Sequence, residues 1–135
     1  METTRTDPTT DDIFHSTYGG MTAVDLEMML YHLMDRFCLE YNGGMWQNVE
    51  VTDTESGETA VWREWDTDIA KVTLSNDMNQ AVVQLSPSDA SLAIFILLLA
   101  WTAESKPSLI DFHGRVYNAM FDWADDVGNI LRFLD

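Results

Sequence analysis

Ser86-Pro87-Ser88-Asp89-Ala90-Ser91-Leu92-Ala93-Ile94-Phe95-Ile96-Leu97-Leu98-Leu99-Ala100-Trp101 decides the fold. Ser86 suits a helix N-cap, Pro87 the first helical turn, and Asp89 the positive end of the helix dipole. From Leu92 to Trp101 the residues are apolar on every face. Such a helix has no solvent side, so it is predicted to be central and covered from more than one direction. The run is far shorter than the ~20 residues needed to span a bilayer. A buried helix ending near Lys106-Pro107 is therefore the reading.

Downstream, Ser108 with Asp111 is predicted to cap a third helix. Its stripe is Leu109, Phe112, Val116, Met120 and Trp123. Gly128 predicts a break before a last short segment, Ile130 to Leu134. Upstream lie four short β candidates, Met45–Val51, Thr59–Trp65, Ala70–Leu74 and Gln80–Leu85. Short connections between them, including Asp53-Thr54-Glu55-Ser56-Gly57 and Ser75-Asn76-Asp77, predict one antiparallel four-stranded meander. Trp62-Arg63-Glu64-Trp65 breaks clean alternation and predicts a bulge or irregular edge.

Before the strands, Leu26, Leu30, Leu33, Phe37 and Tyr41 recur every three or four residues and predict a long helix. It is read as starting at a Thr22–Asp25 capping box and ending at Asn42-Gly43-Gly44. The polar first residues, to about position 17, read as a flexible acidic leader ahead of one domain over 18–135. The order α-β-β-β-β-α-α segregates strands from helices and makes the class α+β.

Composition bounds the function. The chain has 135 residues, 7 Lys+Arg against 23 Asp+Glu and a formal charge of −16, yet 46% of it is hydrophobic. A disordered acidic tail lacks that apolar content. Phosphate contacts come largely from Lys and Arg, so direct nucleic-acid binding is not expected, nor is an anionic membrane surface. One cysteine, Cys38, allows no intrachain disulfide, and no apolar signal segment opens the chain. A cytoplasmic setting is the expectation.

No constellation argues for catalysis. Asp66 with Asp68, or Asp122 with Asp125 and Asp126, are pairs that so acidic a chain produces by chance, and they read as solvated surface. Asp53 to Gly57 lacks the ligand spacing of a calcium loop. His15, His32 and His113 show no metal spacing, and Cys38 reads as packing. Neither a nucleotide-binding nor a hydrolase motif is present. Trp101 and Trp123 read as core. Trp62 and Trp65, set among Glu58, Glu64, Asp66 and Asp68, fit either core or a charged-rim interface. Glu50, Asp53, Glu55, Glu58, Glu64, Asp66 and Asp68 form the densest acidic stretch. It serves either solubility or imitation of a phosphate backbone.

Arg36-Phe37-Cys38-Leu39-Glu40-Tyr41-Asn42-Gly43-Gly44-Met45-Trp46 resembles the signature of the ArdB/KlcA antirestriction family. That signature is Arg-x-Cys-x-x-Tyr-(Asn/Asp)-Gly-x-x-Trp at the end of a first long helix. Arg36, Cys38, Tyr41, Asn42, Gly43 and Trp46 meet all its fixed positions. The later order is similar too, with a Thr73-to-Asn76 strand, Val82 to Ser86, an Ala/Leu-rich helix and a short terminal helix ending in Asp135. The chain departs from the family at Glu58 to Trp65, where the family has a Gly-Gly-Phe-Tyr-Met-Ala-Pro segment.

The resemblance implies a small α+β protein of a plasmid, phage or other mobile element that protects incoming DNA from host type I restriction. It implies neither nuclease nor methyltransferase activity and no settled catalytic residue. The expectation is thus a non-enzymatic inhibitor, without metal or cofactor, that binds a host restriction or other defence complex and touches neither DNA nor membrane. The residues assigned to partner binding are Asn42, Gly43, Gly44, Trp46, Trp62, Glu64, Trp65, Asp66 and Asp68. The alternative target, motivated by the replaced segment, is a CRISPR effector.

Overall fold

A computed structural model describes residues 1–135. The apolar run forms α3 (Pro87–Ser105), with Pro87 at its start and Ser86 Oγ accepting the Asp89 N–H at 3.1 Å. Its residues from Asp89 to Leu99 are all buried. It is the one helix long and apolar enough to cross a membrane, and 61% of its apolar window lies inside the protein. Three further helices and both sheets pack around it, which is why no face of it is polar.

Upstream of α3 the chain forms β1 (Glu2–Thr6), α1 (Ile13–Tyr18), α2 (Gly20–Phe37), β2 (Met45–Thr52), β3 (Thr59–Asp66), β4 (Val72–Asn76) and β5 (Ala81–Leu85). A 3₁₀ turn (Pro107–Leu109), α4 (Ile110–Trp123) and α5 (Val127–Leu134) follow it. The α+β class holds, but the single four-stranded sheet does not. There are two antiparallel sheets, ordered β1-β2-β3 and β4-β5. β4 does not pair with β3 because its edge is used elsewhere. Leu39 N–H donates to Thr73 O at 3.1 Å, Cys38 bridges Leu74, and Thr73 N–H donates to Glu40 Oε1 at 2.7 Å. The chain leaving α2 thus takes the place expected for a neighbouring strand.

That pairing also ends α2 earlier than the apolar stripe suggests, since Cys38 is already extended at φ −101° and ψ 114°. Gly43 and Gly44, at φ +85° and +117°, then turn the chain into β2. The Thr22–Asp25 capping box does not form; α2 starts at Gly20, and Thr22 Oγ1 accepts from Lys106 Nζ at 2.9 Å. Ser108 likewise does not cap α4, which the 3₁₀ turn enters directly. The last break falls at Ala124–Asp126, with Asp126 capping α5 by accepting the Asn129 N–H at 3.1 Å. Gly128 lies inside α5.

The expected flexible leader is structured. β1 pairs with β2 over five residues, from Glu2 opposite Thr52 to Thr6 opposite Asn48. Its side chains are nearly all exposed, so it carries no apolar alternation to read. Ladder bonds, threonine-rich strand preference and the Arg5 and Thr3 side-chain contacts to Glu64 and Trp123 hold it instead. Asp12 caps α1, whose Phe14 and Tyr18 are core residues.

β3 explains the broken alternation without a bulge. Its register with β2 runs unbroken from Met45 opposite Asp66 to Thr52 opposite Thr59. Both faces are covered: Trp62 meets Trp123 of α4 at 4.9 Å between rings, while Arg63 lies over Phe14 of α1 at 4.7 Å. Even its outer edge is occupied. Tyr18 Oη–H donates to Val61 O at 2.6 Å, and Trp65 N–H donates to Ser91 Oγ at 2.9 Å.

Candidate functional site

The residues assigned to partner binding divide on burial. Trp62 is 0% exposed, Trp65 3%, Glu64 4% and Trp46 9%, so these four do not form a free surface. Asn42, Gly44, Asp66 and Asp68 are exposed. The acidic stretch also does not form one patch. Asp53, Glu55 and Glu58 lie at the β2–β3 turn, and Asp66 and Asp68 at the opposite end of that hairpin. Seven residue steps of strand separate the ends by roughly 24 Å. That is more than twice the ~8–10 Å over which exposed charges sense one another at physiological salt.

β3 carries an ionic cluster on each face. On one, buried Glu64 accepts from Arg5 Nε at 2.9 Å, from Gln47 Nε2 at 2.7 Å and from Ser88 Oγ. On the other, Arg63 donates from Nε to Asn48 Oδ1 at 3.1 Å and from Nη2 to Asp12 Oδ1 at 2.9 Å. Its Nη1 reaches Tyr31 Oη at 3.2 Å and Glu27 Oε2 at 2.6 Å. Burial works against the Arg63 charge, but Tyr31, Glu27 and Asp12 outweigh it and its pKa rises. Burial also raises the Tyr31 hydroxyl. Arg63 thereby ties the N-terminal segment, α2 and β2 to β3.

Beside Arg63 opens a cleft of about 240 Å³, with Asp7, Glu27, Tyr31, Tyr41, Gly44, Met45 and Trp46 among its walls. The turn between α2 and β2 supplies much of it. Trp65 Nε1 donates to Gly43 O at 3.1 Å, and Trp46 Nε1 donates to Tyr41 Oη at 3.3 Å. Tyr41 packs edge-on against Trp65 and Trp46 at 5.1 and 5.9 Å, and Tyr31 lies 5.0 Å from Trp46. A Cβ on Gly44 would sit 3.5 Å from Trp65 Nε1, at a φ that L residues rarely adopt. The Tyr41-to-Trp46 motif therefore builds one wall of a cleft. Sequence reading found Gly44 and Trp46 but not Tyr31, Glu27, Asp7 or Arg63, which come from three distant segments; only Glu27 and Tyr31, four apart on α2, share a spacing.

Cys38 is buried, and desolvation raises its thiol pKa, which makes it a poor nucleophile. No three His, Cys, Asp or Glu side chains converge as a metal site would require. Asp53 accepts the Glu55 N–H at 3.0 Å, which lowers its pKa and folds the β2–β3 turn on itself.

These features define a small acidic α+β domain with an aromatic cleft beside a buried ion cluster. No protein-family model and no curated protein matches the sequence. Among solved structures, the chain is similar over its full length, and over 96% of the other chain, to a structure of the KlcA and ArdB proteins. The TM-score is 0.77 and the identity 17%. That structure was described as a novel fold with antirestriction activity against type I DNA restriction systems in vivo but not in vitro. The chain has the ArdB/KlcA fold.

Proposed function

We propose that this protein is an antirestriction protein, inhibiting host type I restriction by binding the defence machinery and so protecting incoming mobile-element DNA. The observation that carries the reading is the full-length match to the ArdB/KlcA fold, joined to the Arg36-to-Trp46 signature. Its surface charge supports action on protein and not on DNA. Of the seven cationic side chains, Arg5, Arg36, Arg63 and Arg115 are each ion-paired to a carboxylate of the same chain. Lys71, Lys106 and Arg132 lie on separate elements or loops and offer no strip for a phosphate backbone. The exposed acids attract a basic protein surface and repel nucleic acid.

The function is tested by plating unmodified phage, or transferring unmodified plasmid, into hosts that carry one defence system each. Protection confined to type I restriction hosts supports the reading. Protection confined to CRISPR hosts moves the target to a CRISPR effector. Protection in neither, with soluble folded protein present, refutes it.

A further inference from the structure

We propose that the cleft walled by Tyr31, Tyr41 and Trp46 and flanked by Glu27 and Asp7 is a receptor for one cationic side chain, an arginine presented by the protein partner. The inference rests on the reading of the protein as an inhibitor that binds defence proteins.

The sign of the occupant follows from Arg63. Although it lines the cleft, its side chain is 3% exposed, three of its five N–H groups donate to Asn48, Tyr31 and Asp12, and Glu27 Oε2 lies 2.6 Å from its Nη1. An anion would find almost no free donor. It would also face two carboxylates on the walls, Asp7 and Glu27, beside a guanidinium whose charge is already matched by Glu27 and Asp12. Asp7 is held ionised, its pKa lowered by the Thr9 N–H and hydroxyl at 2.8 Å each. A cation meets the reverse: excess negative charge on one side and three aromatic rings on the other.

Cations are attracted to aromatic rings within about 6 Å of their centres. The rings lie 5.0 and 5.9 Å apart in the two pairs that share Trp46, so one planar group can approach more than one of them. Arginine suits such a site better than lysine, being planar, weakly hydrated and able to bond a carboxylate with two parallel N–H groups. At about 240 Å³ the cleft is several times the ~30 Å³ share of one water and accommodates a long side chain. A second copy of this chain is a poor occupant, because each carries a charge of −16. An apolar occupant would leave Asp7, which has no cationic partner in the chain, facing it.

The experiment uses the whole ¹⁵N-labelled protein and three short peptides, Gly-Ser-X-Ser-Gly, with X arginine, lysine or citrulline, the neutral isostere of arginine. The arginine peptide is expected to shift the Trp46 indole N–H and Gly44 amide signals in the millimolar range. The lysine peptide should do so more weakly and the citrulline peptide not at all. Asp7 and Met45 are both exposed, so Asp7→Asn and Met45→Arg keep the fold. Asp7→Asn should weaken arginine binding about threefold by loss of one exposed charge contact. Met45→Arg should weaken it further by competing for the cleft.

Equal shifts from the citrulline peptide overturn the proposal. So do shifts induced by inorganic phosphate, or arginine binding that leaves Trp46 unmoved. A plating assay on Met45→Arg separates the two levels. Undiminished protection by this variant defeats the cleft while leaving the antirestriction reading intact. Absence of protection by the wild type defeats that reading, while the peptide shifts still decide the cleft's chemistry.

Discussion

Replacing Arg63 by Met should cost about 3 kcal/mol of folding free energy. Met fills much of the stem volume but removes a guanidinium that bonds four partners from three other segments. Breaking a fully buried charge pair by deleting one member typically costs about 3–5 kcal/mol. Here the partners Asp12 and Glu27 remain 32% and 29% exposed, so water recovers part of that loss and the lower end applies. Asn48, which is buried, loses the donor to its Oδ1, a cost of about 1 kcal/mol included in that figure. At roughly 3–4 °C per kcal/mol for a chain of this size, the melting temperature should fall by about 10 °C. Urea unfolding followed by tryptophan fluorescence measures the loss. Hydrogen exchange should show it concentrated at Ile13–Tyr18, which Arg63 holds through Asp12. Arg63→Met/Glu27→Gln should be less destabilised than the sum of the singles, because Glu27 no longer needs a partner. A single-variant cost below 1 kcal/mol, or strict additivity in the cycle, refutes the latch.

Other outcomes follow from the same contacts. Asn76→Ala removes the donor at 2.8 Å to Phe133 O and the acceptor of the Met78 N–H, and should cost about 2 kcal/mol with early exchange of α5 amides. Tyr18→Phe leaves the buried Val61 carbonyl unpaired at the β3 edge and should cost about 1–2 kcal/mol in the same unfolding assay. Burial lowers the His113 pKa, so its neutral form is favoured in the fold. That contribution is present above the ordinary histidine pKa near 6.5 and is lost as pH falls through the folded value. Denaturant titrations should therefore show His113→Phe losing less stability than the wild type between pH 7 and pH 5. Reversing Glu55, Glu58, Asp66 and Asp68 to Lys should abolish protection in the plating assay and leave the circular dichroism spectrum unchanged, since all four are exposed.

The legible parts of the fold were those written in apolar periodicity. The Leu92–Trp101 run announced a central helix because burial on every side leaves no polar face to disguise it. The stripe from Leu26 to Phe37 and the glycines at 43 and 44 marked α2 and its exit. β1 was illegible because an edge strand of exposed Thr, Glu and Arg is held by backbone bonds and by polar contacts to distant residues, which leave no apolar alternation. The two-sheet division was equally hidden, since it depends on Cys38 and Leu39 occupying the edge of β4. Trp62-Arg63-Glu64-Trp65 misled because charged residues suggested surface. Their charges are matched by Arg5, Asp12 and Glu27, brought from up to 59 residues away. Half the cleft was visible in the Tyr41-to-Trp46 motif; the half that sets its charge came from the leader and α2.

On the proposed function, protection comes from contact with the restriction assembly and not with DNA. Affinity capture of tagged type I restriction subunits, from living hosts expressing either the wild type or the four-acid reversal variant, tests it most directly. A restriction subunit should co-purify with the wild type and not with the variant, in step with protection. Protection of unmodified DNA by a wild type that recovers no restriction subunit would contradict it.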